Sequence, residues 1–254
     1  MKRIILITGA TSGIGKACAE KFAANGFDVI ITGRRNDRLG DLKEALEKQY
    51  GVNILPLCFD VQDKDAVFKA INGLPDNWKQ IEILVNNAGL ALGRDFFDEA
   101  DLDDWEVMLN TNVHGLMYVS RAVIPVMIAN RRGHIINMGS TAGKEVYEKG
   151  NMYCASKHAV AALSESMRID LLRHRIKVTA IHPGAVETEF ALVRFKDDRD
   201  KAAAVYKGFK PLTGADIADT IFYCASLPAH VCVNDLVITC TSQANNFYFN
   251  KVDK

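Results

Sequence analysis

Two residues four positions apart, Tyr153 and Lys157, carry the first chemical signal in this 254-residue chain. On a helix that spacing puts both side chains on one face, with Cβ atoms about 5–6 Å apart. A phenol titrates near 10, and an ammonium held beside it in a dry site favours the phenolate. Bringing the phenol toward about 7 takes about 4 kcal/mol of that preference. Such a pair would pass a proton to or from a substrate oxygen. The spacing recurs at Tyr206 and Lys210, but only the first pair has a polar partner upstream. Ser140 follows the apolar run Ile135-Ile136-Asn137-Met138-Gly139 and precedes Tyr153 by 13 residues. A hydroxyl at a strand end and a phenol on the next helix could meet on one carbonyl oxygen, with the hydroxyl stabilising developing charge. Hydride addition to a carbonyl leaves an alkoxide that needs a proton, so the set suits carbonyl reduction and its reverse.

A hydride source is implied by the segment Thr8-Gly9-Ala10-Thr11-Ser12-Gly13-Ile14-Gly15, which joins an apolar run to a helical pattern. A dinucleotide pyrophosphate needs close backbone approach and a helix N-terminus, and glycines permit both. Gly9, Thr11, Ser12, Gly13, Ile14 and Gly15 are therefore the expected cradle. The next apolar run, Val29-Ile30-Ile31-Thr32, leads into Gly33-Arg34-Arg35. A carboxylate here would select NAD, whereas an arginine fork suits a 2′-phosphate. Arg34 and Arg35 predict NADP. Asp37 is read as the cap of the following helix.

These residues need a frame that brings strand ends together. Continuous Ile- and Val-rich runs predict strands at 3–8, 28–32, 53–59, 81–85, 133–138, 177–181 and 236–239, of the kind buried on both faces. Helical periodicity predicts helices at 14–25, 39–50, 63–71, 104–131, 152–173 and 216–226. Alternation of the two implies a single-domain α/β Rossmann fold, with a seven-stranded parallel sheet and helices on both faces. Residues 1–254 read as one NADP-binding and catalytic domain. The less regular stretch 187–212 reads as a lid-like substrate segment. Its charge run Lys196-Asp197-Asp198-Arg199-Asp200-Lys201 reads as a solvated surface. Phe247, Tyr248 and Phe249 in the tail are expected to pack on the core or on a neighbouring subunit.

Composition narrows the function further. Hydrophobic residues make up 48% of the chain, enough for one large core, and 31 basic residues balance 31 acidic ones. No basic stripe argues for nucleic acid or an anionic membrane. The apolar run after Lys2-Arg3 meets Gly9 too soon for a signal peptide, and no long apolar run predicts a membrane span. Six scattered cysteines include no Cys-x-x-Cys pair, so neither a metal site nor a disulfide framework is expected, and a cytoplasmic setting is. His114, His158 and His182 are lone histidines with no assigned chemistry. Cys154 is expected to be a core residue. Asn112, alone in a helical pattern, reads as a kink site.

Together these segments resemble the short-chain dehydrogenase/reductase family. The residues from Thr8 to Gly15, Asn86-Asn87-Ala88-Gly89, Ser140, Tyr153-Cys154-Ala155-Ser156-Lys157 and Pro183-Gly184 match its motifs in order and spacing over the whole chain. The resemblance implies a homotetramer and makes Asn112 a fourth catalytic residue on a kinked helix. It also implies that Asp60 and Val61 contact adenine, and that Asn87, Ala88, Gly89, Pro183, Gly184, Val186 and Thr188 line the nicotinamide side. Within the family, the segments 86–93, 187–196 and 227–231 are similar to the NADP-dependent 3-hydroxy acid dehydrogenase branch. That branch implies a small hydroxy acid substrate (serine, allo-threonine or a 3-hydroxypropionate-like acid) and its 3-oxo acid or semialdehyde. The stretch Lys144-Glu145-Val146-Tyr147-Glu148-Lys149-Gly150 is more charged than the branch pattern. Arg194, on the lid-like segment, is the expected carboxylate anchor beside Ser140 and Tyr153. The alternatives are a carbonyl reductase for other ketones, sugars or acyl thioesters, and a catalytically silent NADPH-binding module.

Overall fold

The computed structural model describes residues 3–252. Seven strands form one parallel sheet: β1 (Ile4–Ile7), β2 (Asp28–Gly33), β3 (Ile54–Cys58), β4 (Ile81–Asn86), β5 (His134–Met138), β6 (Lys177–Pro183) and, at the far edge, β9 (Asp235–Ile238). Their order is β3-β2-β1-β4-β5-β6-β9. Each lies where the apolar runs place it, to within two residues. The pleat sends alternate side chains to opposite faces. In β1, Ile5 and Ile7 join one core and Ile4 and Leu6 the other. All four are buried, which is why the run is apolar without alternation. Each contributes about 1.5–3 kcal/mol by leaving water.

Helices α1 (Gly13–Ala24), α2 (Asn36–Tyr50) and α9 (Gly214–Ser226) cover the first face. Helices α3 (Lys64–Asn72), α5 (Leu116–Ala129) and α6 (Asn151–Asp170) cover the second. Asp37 does not cap α2. Arg35 occupies the cap position, and Asp37 falls in the first turn, where its charge faces the positive end of the helix dipole. The 104–131 pattern becomes α4 (Leu102–Leu109), a π-helical turn over Asn110–Gly115, and α5. This continuous helix is long and apolar enough to cross a membrane by length and composition alone. Val119, Val123 and Met127 explain its hydropathy, because they are core residues beneath the sheet.

The irregular stretch is an excursion whose base is pinned. Strands β7 (Val186–Glu187) and β8 (Leu212–Thr213) pair in parallel, and the Tyr206 hydroxyl donates to the Val186 carbonyl at 2.8 Å. Tyr206 therefore has a structural bond where the alternative Tyr/Lys pair would need a free phenol. The excursion carries α7 (Phe190–Arg194) and α8 (Arg199–Ala204). The tail folds back on the excursion: Phe249 packs on half-buried Phe209 with ring centres 5.1 Å apart. Phe247 and Tyr248 remain exposed.

Candidate active site

The strand order reverses between β1 and β4, and a crevice opens beyond their carboxyl ends. Gly9, Thr11, Ser12, Gly13 and Ile14 line it after β1; Asn87, Ala88 and Gly89 line it after β4. Gly9 and Gly13 take φ of +66° and +52°, a region that side-chain-bearing residues rarely adopt. A Cβ on Gly15 would run into the Gly9 carbonyl and the Asn87 amide. Ser12, at the cap of α1, gives no side-chain bond to the first amides, so donors at the helix start remain for an anion. Thr8 Oγ1 accepts from the Asn87 and Ala88 amides, each at 3.0 Å, and ties the two strand ends together. The cleft measures about 1080 Å³, room for a dinucleotide with a small substrate. The cradle thus fits a nicotinamide dinucleotide.

At the ribose end the two predicted arginines behave differently. Arg34 is largely exposed and leans toward Asp60 at 3.5 Å. Asp60 also accepts from the Gln62 amide and sits beside buried Val61. Arg35 folds over the glycine turn and donates to Thr11 Oγ1 at 3.1 and 2.7 Å and to Ser12 Oγ at 2.9 Å. Arg38 and Glu189, which the sequence reading did not single out, complete the cluster. Arg38 lies in the first turn of α2, three residues beyond Arg35 at its cap, a spacing that sequence alone could have flagged. Glu189 had no such signal.

The four residues expected to do chemistry converge. The Ser140 hydroxyl, which accepts from the Ala142 amide at 3.1 Å, lies near enough to the Tyr153 phenol to favour its ionised form. Lys157 lies one turn along α6, with Nζ 5.9 Å from the Tyr153 ring centre and 2.9 Å from the Met138 carbonyl it donates to. Asn112 lies in the π-helical turn, which accounts for the kink expected there. Its Oδ1 accepts from the Leu90 amide, and its Nδ2 donates to the Leu90 carbonyl, both at 2.8 Å, and to Ser156 Oγ at 3.0 Å. A Cβ on Gly89 would stand 3.1 Å from Asn112 Oδ1 and 3.5 Å from Lys157 Nζ, so a side chain there would crowd the point where these groups meet.

The electrostatics correct one expectation. Lysine was expected to make the phenol more acidic. Instead burial, reinforced by neighbouring Tyr147, pushes the Tyr153 phenol above its ordinary value, against the Ser140 hydroxyl and the Arg194 charge. Burial also lowers Lys157 to about 8. Desolvation penalises both ions, and the ammonium is turned to the Met138 carbonyl rather than to the phenol.

On the substrate side, Arg194 Nε donates to the Gly93 carbonyl at 3.2 Å and Nη1 to the Tyr147 hydroxyl at 3.0 Å. Its guanidinium carbon stands 5.5 Å from the Tyr153 ring centre. Tyr147 belongs to the charged stretch that departs from the branch pattern, and the structure puts it in the cleft wall. Phe190, one turn before Arg194, packs on Tyr153 at 5.6 Å. Thr188 and Val186 also line the cleft, and a Cβ on Gly13 would meet Thr188 at 3.2 Å. Pro183 ends β6 and Gly184 follows it, both in the cleft wall. A side chain on Gly184 would strike Gln243, whose Oε1 accepts from the Ala185 amide at 2.8 Å. Asn246 donates to the Thr141 carbonyl at 2.9 Å and braces the Ser140 loop. Buried His182 stands behind the site, with Nδ1 3.1 Å from the Ser140 carbonyl. Cys154 is buried as expected, and no group of metal-ligating side chains occurs among the described residues.

A doubly wound sheet with a phosphate cradle at its switch point and a Ser–Tyr–Lys cluster beside it defines a nicotinamide-dependent oxidoreductase. The short chain dehydrogenase family model matches residues 3–199, and the chain belongs to that family. NADP-dependent 3-hydroxy acid dehydrogenase YdfG of Salmonella typhi is 45% identical over 242 residues, 95% of this chain and 96% of the relative. Sulfoacetaldehyde reductase 2 of Chromohalobacter salexigens is 44% identical over 245 residues, 96% of each chain. The closed form of a serine dehydrogenase complexed with NADP+ superposes with a TM-score of 0.91 at 41% identity, covering 99% of this chain and 100% of that one. This chain is an NADP-dependent oxidoreductase acting on CH–OH groups.

Proposed function

We propose that the enzyme interconverts a 3-hydroxy acid, such as serine, allo-threonine or a 3-hydroxypropionate-like acid, with its 3-oxo acid or semialdehyde. The observation that carries this reading is a cation poised over the reacting cluster. Arg194 is held by Gly93 and Tyr147, and among the described residues no acceptor takes its Nη2. That nitrogen, together with the Tyr147 hydroxyl, suits a carboxylate on a short substrate whose reacting oxygen lies between Ser140 and Tyr153. The named relatives that act on 3-hydroxy acids and serine support the same class.

NADP supplies the hydride acceptor for oxidation, and NADPH the donor for reduction. Tyr153 gives its phenolic proton to the substrate oxygen in reduction and, as the phenolate, takes that proton back in oxidation. Ser140 holds the substrate oxygen and favours its anionic form. Lys157 holds positive charge 5.9 Å from the Tyr153 ring centre, and Asn112 clamps the Leu90 backbone. The glycine turn with Ile14, Arg34, Arg35, Asp60, Val61, the 87–89 segment, Pro183, Gly184, Val186 and Thr188 are the cofactor contacts, and 187–212 serves as the lid-like substrate segment.

A second reading follows from the same cation. A sulfonate presents the same negative charge, and one relative is named as a sulfoacetaldehyde reductase. The test is a substrate panel with NADP(H): serine, allo-threonine, 3-hydroxypropionate, sulfoacetaldehyde and neutral alcohols and ketones. Arg194→Met should raise KM for the anionic substrates about 10- to 100-fold, the worth of a charge-assisted hydrogen bond, and spare neutral ones. A uniform loss across the panel would remove the anchor. Turnover of neutral ketones or sugars alone would replace the acid reading with a general carbonyl reductase.

Two properties of the whole protein complete the proposal. The exposed Ile169, Leu172, Tyr223 and Val237 support burial between copies in a homotetramer, which light scattering of the purified protein tests. All six cysteines are free thiols, which suits the reducing cytoplasm.

A further inference from the structure

Two arginines and one carboxylate form a closed cluster at the ribose end of the cleft. Glu189 stands at the cap of α7. Its Oε2 accepts from Arg35 Nη1 at 3.0 Å, and its Oε1 from Arg38 Nη1 at 2.8 Å. The rest of the Arg35 fork is held by Thr11 and Ser12 of the glycine turn. Arg35 thus stands at the end of β2, where the adenosine 2′-substituent arrives in this class of fold, and its outward nitrogen is already taken by an anion. Partial burial works against ionisation of Glu189, but the two guanidiniums outweigh it and hold the carboxyl below its ordinary value. Glu189 is therefore charged at neutral pH.

We infer that Glu189 is an internal occupant of the 2′-phosphate seat, which competes with the phosphate for Arg35 and Arg38 and so sets how far the site prefers NADP over NAD. The inference rests on reading Arg34 and Arg35 as the phosphate-binding residues. A phosphate monoester carries about −1.5 to −2 charges at neutral pH and accepts a guanidinium fork through several oxygens. It draws both arginines away from a singly charged carboxylate. The neutral 2′-hydroxyl of NAD does not, and leaves the ion pairs standing. Binding of the phosphorylated cofactor must offset the loss of two pairs, and NAD binding meets no such opposition. Glu189 therefore narrows a preference that Arg34, Arg35 and Arg38 would otherwise make larger.

The test is calorimetric and independent of turnover. The full-length protein and its Glu189→Gln variant are titrated with NADP, NAD, 2′,5′-ADP and 5′-AMP. The variant should bind NADP and 2′,5′-ADP about fivefold tighter, the scale of exposed ion pairs, and bind NAD and 5′-AMP unchanged. Glu189→Ala should move the same way, which separates lost charge from any new contact made by the glutamine. Unchanged or weaker NADP binding in both variants overturns the inference. Equal tightening of all four nucleotides also overturns it, because the effect would then lie in the loop and not at the phosphate. If the unmodified protein binds 2′,5′-ADP no better than 5′-AMP, the arginine assignment itself is wrong and the inference falls with it.

Discussion

Replacing Lys157 with Met removes a buried ammonium, and the structure sets the size of the effect. Lys157 is 6% exposed, and burial lowers its pKa from 10.5 to about 8. Below pH 8 both the folded and the unfolded chain hold the proton, and the full penalty of burying the charge stands. At about 1.36 kcal/mol per pH unit that penalty is about 3.4 kcal/mol. Above pH 8 the folded side chain gives up its proton while the unfolded chain keeps it to about 10.5, so stability rises with pH through this window. The relief is negligible at pH 7, about 1.4 kcal/mol at pH 9 and about 2.6 kcal/mol at pH 10. Met at this position cannot titrate. The Met138 carbonyl loses its donor at a cost of about 1 kcal/mol, but that loss does not vary with pH. Urea unfolding of both proteins without nucleotide, followed by circular dichroism at pH 7, 8 and 9, gives the difference in stability. Other titrating groups cancel in it. The gap should shift by about 1.4 kcal/mol in favour of the unmodified protein from pH 7 to 9. A gap independent of pH would refute the reasoning, because the ammonium would then bear no burial penalty.

Tyr153→Phe keeps the ring against Phe190 and removes the proton, so turnover should fall by at least about 100-fold while calorimetric NADP affinity stays the same. Exchanging both Arg34 and Arg35 for Leu should raise KM for NADPH by about 10-fold or more and leave KM for NADH nearly unchanged; equal effects on the two would contradict the NADP assignment. Gly15→Ala forces a Cβ against the Gly9 carbonyl, and should abolish nucleotide binding or lower Tm by several degrees in a thermal melt.

Much of this protein is determined by local pattern. The seven strands are legible because each is buried on both faces, and that burial demands unbroken apolar runs such as Ile4 to Ile7. The glycine turn is legible because its backbone needs positive φ at Gly9 and Gly13. Tyr153 and Lys157 are legible because one helical turn fixes their separation, and Ser140 because it closes a strand. Those constraints act within a few residues, so they are written in order along the chain. What tertiary structure alone decided lies between distant segments. Arg194 meets Tyr147 across 47 residues and Glu189 meets Arg35 across 154, pairings that no periodicity encodes. Gln243 fills the space that only glycine at 184 leaves open. The acid–base balance was decided there too. The spacing of Tyr153 and Lys157 suggests an acidic phenol, but how far each ion loses water depends on everything packed around it, and burial pushes the phenol up and the ammonium down.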